Sequence, residues 1–478
     1  MKTISVDTSL KEKREALAHD HQRPQFHFLA PQGWMNDPNG IIQWQGKYHM
    51  FYQHNPHEAK WGPPYWGHAV SEDLVHWQDL PVALTPDMEP ADNGGCWSGS
   101  MVNHEGTATI FYTGVKDGVQ ATCVATGDTE LLKWQKDPQN PIVSPPKDVI
   151  GNHNDYRDPY VWREGDNWYQ VIGTSVAGQG EVLLYQSQDL YHWTFLHPLV
   201  DSEARALCED MGKIWECPNF FALGNKHVLI ISRWHDHVLM YPVAFIGTYH
   251  DKRFYPESRQ RFDWGMQCFY APLAIDDDRG RRLIWGWLQE QRSQEEQLEA
   301  GWSGVMSLPR ALSLDNRGNL EQAFVEDLQL LRARQHSWEN QHLERLELVI
   351  VPQQFELVMR IGKSEATRST LVFETEQGET IRLTLDWQSL SLSLDKTQAA
   401  FLSSHFEGIH HVNFKSAEAY DLHLYFDHSV IELIFDHQYS MSSRVYLQED
   451  SGIKISLESE AGESHIETLS VWELESIY

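Results

Sequence analysis

Cysteine is scarce in this chain: five residues among 478, at positions 96, 123, 208, 217 and 268, odd in number and widely scattered. They make neither a disulfide framework nor a paired-cysteine metal knuckle, and they fit a reducing compartment. Basic residues are also short, with 38 Lys and Arg against 68 Asp and Glu and a net charge of −30. So acidic a surface repels phosphate backbones and anionic lipid, which argues against nucleic-acid and membrane-surface partners. A neutral polar substrate fits it better. No run approaches the roughly 20 apolar residues of a membrane span. Met1 to Leu17 holds no apolar stretch of secretory length, reads as a short charged lead-in helix, and makes a cytoplasmic location the simplest expectation. Helical periodicity is nearly missing up to Leu314. Missing too are a Gly-rich phosphate loop opening a helix, a Gly-x-Ser-x-Gly elbow and the histidine spacing of a zinc site.

What the chain does have is a repeat. Five short signatures each precede a hydrophobic strand: Asn36-Asp-Pro-Asn-Gly40, Trp97-Ser-Gly-Ser100, Arg157-Asp-Pro159, Glu216-Cys-Pro218 and Phe269-Tyr-Ala-Pro272. Counted through Asp37, Ser98, Asp158, Glu216 and Tyr270, the steps are 61, 60, 58 and 54 residues. A period of this length means repeated supersecondary units, most often propeller blades or solenoid turns. A second signal keeps time with it, ending in Trp77, Trp134 and Trp193, with Phe254 in a looser fourth copy. These aromatics read as packing between units.

At 478 residues two domains are the natural expectation. Residues 24–318 carry the repeat, after a lead-in over residues 1–23. Leu320 to Arg334 has apolar residues at three-to-four spacing and reads as a connecting helix, within a linker of residues 319–336. Residues 337–478 alternate apolar and polar with period two, which suggests an antiparallel β-sandwich. The fold class expected is all-β.

In a radial array Asp37, Asp158 and Glu216 would converge at one end of the central channel. Paired carboxyl groups in a pocket suit glycoside hydrolysis, one attacking or stabilising and the other protonating the departing oxygen. The turn around Asp37 offers donors that would hold its pKa down, and Arg157 should keep Asp158 ionised. The apolar neighbours of Glu216 would raise its pKa toward that of a usable acid. Trp34, Trp61, Trp97, Tyr270 and Trp287 could stack on a sugar ring.

The motifs Trp34-Met-Asn-Asp-Pro-Asn-Gly40, Arg157-Asp-Pro159 and Trp215-Glu-Cys-Pro218, in that order, resemble glycoside hydrolase family 32, the β-fructofuranosidases. Gly301-Trp-Ser-Gly304, Ser307-Leu-Pro-Arg310, Asp427-His-Ser-Val-Ile-Glu432 and Ser443-Arg-Val-Tyr446 extend the resemblance to the C-terminal end. It implies a five-bladed β-propeller followed by a β-sandwich, acting on terminal β-D-fructofuranosides with retention and without metal or organic cofactor. It also implies Asp37 as nucleophile, Glu216 as acid/base and Asp158 as transition-state stabiliser. Asn36, Gln53, Trp61, Trp97, Ser98, Arg157, Tyr270 and Trp287 would line the sugar subsite. The chain departs from the pattern at Trp97, where Phe is usual, at Asn219, where an acid usually follows the Glu-Cys-Pro motif, and in the segment Asp263 to Ala271. Sucrose is the expected substrate. Sucrose 6-phosphate, fructosyl transfer and a non-catalytic sugar-binding propeller are the alternatives, and the sandwich is expected to pack on the propeller or to mediate a homodimer.

Overall fold

Each of the five signatures lies in the innermost strand of a blade of four antiparallel strands, and the first and fifth sheets each gain one further short strand. The computed structural model describes residues 8–87, 92–151, 154–208, 211–236, 238–265, 267–399 and 408–478. The first sheet runs in order through Gly33–Trp44, Lys47–Asn55, Tyr65–Ser71 and Trp77–Leu84. The next four begin with Cys96–His104, Tyr156–Glu164, Ile214–Leu223 and Phe269–Asp276. Contact passes from each inner strand to the next and from the fifth back to the first. The five sheets therefore close into a ring, a five-bladed β-propeller.

The ring is sealed by chain that follows the fifth inner hairpin. Trp302–Ser303 pairs in parallel with Gly33 and Trp34 of the first blade, while Val305–Met306 pairs with Trp287 and Leu288 of the fifth. Gly304 joins the two at φ +82°, and a Cβ there would stand 2.0 Å from the Met35 carbonyl oxygen. Only glycine fits that seam.

The second repeat signal is a turn. Leu74, Leu131 and Leu190 adopt left-handed φ values of 70°, 57° and 72°. Their carbonyls accept from the indoles of Trp77, Trp134 and Trp193 at 3.1, 3.1 and 2.8 Å. Trp134 then packs edge-on against Phe51 of the first blade, and Trp193 against Phe111 of the second. Those two tryptophans pack between blades, as expected, whereas Trp77 meets Phe28 of the lead-in segment.

The connecting helix read over Leu320 to Arg334 is not there. Leu320–Phe324 is the outer strand of the fifth blade, Glu326–Leu331 makes only a short 3-10 helix, and Arg332–Leu343 is already a strand of the next sheet. The apolar spacing arose from two buried leucines in the 3-10 turn, Leu328 and Leu331, next to a strand whose alternate residues face inward. The lead-in helix is present as Thr8–Ala16, with residues 1–7 outside the described set. Its Arg14 pairs with Asp79 at 2.8 Å. Among the described residues no helix is long and apolar enough to cross a membrane.

The C-terminal part stacks two six-stranded antiparallel sheets around a core that includes Phe355, Leu357, Phe373 and Phe426. It grips the propeller through buried charges. Asp427 accepts from the backbone N–H groups of Gln25, Phe26 and His27, and its carboxylate meets His27 Nδ1 at 2.8 Å. Glu432 receives His27 Nε2 at 3.2 Å and Arg310 at 2.5 Å, and Arg310 also pairs with Asp263 at 3.1 Å. All five side chains are fully buried, so each charge depends on the others for its solvation.

Candidate active site

Every inner strand breaks register just where its signature lies. In the third, fourth and fifth blades, Arg157, Glu216 and Tyr270 pair with Gly173, Ser232 and Trp287, and a two-residue bulge follows each. The bulges are Asp158-Pro159, Cys217-Pro218 and Ala271-Pro272, and their first residues take left-handed φ values of 66°, 46° and 48°. Proline is tolerated there because a bulged residue owes no N–H to the ladder. The bulge bends the strand end and turns consecutive side chains toward the axis. The three acids do not share one slot, as the simple count suggested. Glu216 is level with Arg157 and Tyr270, and Cys217 takes the position of Asp158.

That offset decides the pairing. Arg157 donates Nε and Nη2 to Oε1 of Glu216 at 2.9 and 2.8 Å, while the Tyr270 hydroxyl donates to Oε2 at 2.5 Å. Asp155 and Gln120 hold the other end of the Arg157 guanidinium at 2.9 and 3.0 Å. Asp37 accepts from Ser98 Oγ at 2.5 Å and from Asn36 Nδ2 at 3.0 Å. Asp158 accepts the Cys217 backbone N–H at 2.8 Å. The Cys217 thiol lies 3.4 Å from Asp158 Oδ2 and 3.7 Å from Asp37 Oδ2, one residue beyond Glu216. Two acids far apart in the chain thus meet at one thiol, and the charge of the third, Glu216, acts on that thiol as well.

The expected electrostatics need correction. Burial outweighs the hydrogen bonds from Ser98 and Asn36, and it pushes the Asp37 carboxyl up to about 6. Burial likewise lifts Asp158 to about 7, despite the opposing charge of Arg157. The guanidinium makes its hydrogen bonds to Glu216 and Asp155 instead of to its sequence neighbour. Nor is the setting of Glu216 apolar, since it holds three donors. Dryness, not the local turn, sets the proton affinity of the two aspartates.

The remaining predicted residues divide into two groups. Asn36 is fixed by the Trp34 indole at 2.8 Å, and Trp34 packs 5.7 Å from Trp287. Trp287 is buried, and its indole N–H has no hydrogen-bond partner among the described residues, so a donor waits beside Tyr270. Trp61, in a first-blade loop, is 56% exposed and meets Trp97 of the second blade edge-on at 6.0 Å. Gln53 is buried and donates to the Cys96 carbonyl at 2.9 Å, which ties the first blade to the second. Asn219 is buried too, donating to Cys217 O and Pro272 O at 3.0 and 2.7 Å and accepting from Ala274 N at 2.8 Å. The amide therefore fastens the acid-bearing bulge to the next blade.

Cys217 is the contact that sequence reasoning passed over, although it stands inside a recognised motif. Asp155 and Gln120 carried no signal, because neither keeps the repeat phase.

A closed ring of five blades with three carboxylic acids at one mouth of its axis defines a propeller-type glycoside hydrolase. The models for the glycosyl hydrolases family 32 N-terminal domain and the family 32 C-terminal domain match residues 27–323 and 327–473, and the chain belongs to that family. A sucrose-6-phosphate hydrolase of Escherichia coli is 32% identical over 98% of this chain and 100% of its own. A raffinose invertase of the same organism is 30% identical over 98% and 99%. Among solved structures, a family 32 β-fructofuranosidase of Bombyx mori in complex with sucrose superimposes with a TM-score of 0.81, at 28% identity, over 99% of each chain.

Proposed function

We propose that the protein is an exo-acting β-fructofuranosidase that cleaves sucrose to glucose and fructose with retention of configuration. The observation that carries this reading is the nearness of Asp37, Asp158 and Glu216, the first two in contact with the Cys217 thiol and all three close enough for their charges to act on one another. Asp37 is the nucleophile: above about pH 6 its carboxylate is free to attack the anomeric C2 of the fructosyl unit. Glu216 transfers its proton to the glucosyl oxygen as the C2–O bond breaks. Water then attacks C2 of the fructosyl-enzyme, gives its proton to Glu216 and releases Asp37.

Tyr270 supports the two states of Glu216. Its hydroxyl has a second acceptor, the Arg233 carbonyl at 3.1 Å, besides Glu216 Oε2. It donates to Glu216 when the acid is ionised and turns to Arg233 when Oε2 carries the proton. Asp158 is the transition-state stabiliser, an acceptor for fructosyl hydroxyls, and Trp287 is a donor to the sugar. The sucrose-bound Bombyx mori neighbour and the two Escherichia coli relatives support sucrose as substrate. Five cysteines with free thiols support a reducing, cytoplasmic setting.

Asp37→Ala and Glu216→Ala should each abolish glucose release from sucrose while the purified variants keep the wild-type circular dichroism spectrum. Near-normal turnover by either variant would refute the roles. The ratio of free fructose to glucose at high sucrose separates hydrolysis, near one, from fructosyl transfer, well below one.

A further inference from the structure

The first bulged residues of the third, fourth and fifth blades, Asp158, Cys217 and Ala271, fall outside the strand ladder, so their N–H groups must be paired elsewhere. In two of the three cases the acceptor is a hydroxyl on the second strand of the preceding blade. The Asp158 N–H donates to Thr113 Oγ1 at 2.8 Å, and the Ala271 N–H donates to Ser232 Oγ at 3.0 Å. Both hydroxyl residues are fully buried. They hold equivalent places, since Thr113 pairs with Trp97 and Ser232 with Glu216, each the last regular pair before its own blade breaks register. The same place in the third blade is Gly173, paired with Arg157. A Cβ there would stand 2.0 Å from the Trp215 carbonyl oxygen, so the close approach of the fourth blade leaves no room for a hydroxyl. The Cys217 N–H turns instead to Asp158 Oδ2 at 2.8 Å.

Thr113 has a second contact. Its hydroxyl donates to the Ser98 carbonyl at 3.2 Å, and Ser98 Oγ donates to Asp37 Oδ2 at 2.5 Å. One side chain therefore lies between the backbone that carries Asp158 and the residue that donates to Asp37. Ser232 stands in a matching relation to the fifth blade, because Ala271 follows Tyr270, whose hydroxyl donates to Glu216. A hydroxyl suits this place because it accepts from the next blade while donating within its own, which neither valine nor alanine can do.

We propose that Thr113 is a positioning residue for the reaction, setting how Asp37 and Asp158 stand to each other, and that Ser232 does the same for Tyr270 and Glu216. The assignment rests on the roles proposed above for those acids. The test compares kcat and KM on sucrose for the wild type, Thr113→Val, Thr113→Ser, Ser232→Ala and a control, Ser464→Ala. Ser464 is buried in the sandwich, where its hydroxyl bonds to Ser369 and Ser459. Thr113→Val keeps the shape without the hydroxyl, and its kcat should fall at least about ten-fold while KM changes less than about two-fold. Thr113→Ser should regain most of that loss. Ser232→Ala should lose kcat in the same way, and as the smaller change it keeps the test open if Thr113→Val does not fold. Ser464→Ala should melt lower yet keep the wild-type kcat. Wild-type kcat in either hydroxyl-free variant, no recovery in Thr113→Ser, or an equal loss in Ser464→Ala would overturn the assignment. Amide hydrogen exchange reads the clamp without turnover: the Asp158 N–H should exchange faster in Thr113→Val than in the wild type and Thr113→Ser. A wild type that leaves sucrose intact strikes the proposed function, and equal exchange in all three proteins strikes the clamp.

Discussion

Arg157 places two of its N–H groups on a single oxygen of Glu216, 2.9 and 2.8 Å away, across the junction of the third and fourth blades. The guanidinium thus orients Glu216, the proposed acid/base, and leaves Oε2 to Tyr270. Arg157→Gln keeps some polarity but loses the fork and the charge. Its kcat on sucrose should fall by about two orders of magnitude, and its stability by roughly 3–5 kcal/mol for a broken buried pair. Chemical denaturation beside steady-state kinetics checks both.

The acid limb of activity should follow Asp37. Its carboxyl titrates near 6, so kcat/KM should decline as the pH falls through that value. Ser98 donates to the ionised form at 2.5 Å, which favours the charge. Ser98→Ala should therefore move the acid limb to higher pH. A limb that stays in place or moves lower would separate it from Asp37.

Asp158, the proposed transition-state stabiliser, carries a cost to stability. Its folded-state pKa, about 7, lies above the 3.8 of a solvated aspartate, so its ionisation opposes folding. That penalty is absent below about pH 4, grows between 4 and 7, and is complete above 7, at a few kcal/mol. Asp158→Asn should be inactive yet melt several degrees higher than the wild type at pH 8, with the gap closing toward pH 4. Differential scanning calorimetry across that range reads the sign directly.

His27 works in the opposite sense. Burial alone would lower its pKa, but hydrogen bonds from its ring to Asp427 and Glu432 raise it above the usual 6.5. The stabilisation is present in full below pH 6.5 and is lost as the pH climbs through the elevated value. His27→Ala should melt well below the wild type at pH 6, and the difference should narrow in alkaline buffer.

Gly304→Ala should be severe for a substitution of one methyl group. The new Cβ would stand 2.0 Å from Met35 O and 2.9 Å from the Trp287 indole nitrogen, at a φ that side chains rarely adopt. Stability should drop by several kcal/mol, and residual sucrose hydrolysis should show a raised KM as Trp287 is displaced.

The repeat was legible because five bulges need similar local chemistry, a proline or a small residue after a polar one, and that chemistry recurs in the chain. The acids were legible for the same reason. Their proton affinities were not, because turn donors and neighbouring charges are visible in a string of residues and desolvation is not. The false helix over Leu320 to Arg334 has a related origin. A strand end and a 3-10 turn placed apolar residues at helical intervals, and only the outer edge of the fifth blade distinguishes the two. Asp155 and Gln120 illustrate the remaining gap, since partners contributed from outside a repeat leave no periodic trace.

The bridge at Trp302–Met306 also sets an order of events during synthesis. Asp37 leaves the ribosome early, yet the strands that pair with the edges of the first and fifth blades follow only beyond residue 300. Nascent chains stalled before that point should expose an unpaired first-blade edge, which pairs only after nearly two thirds of the protein has been made.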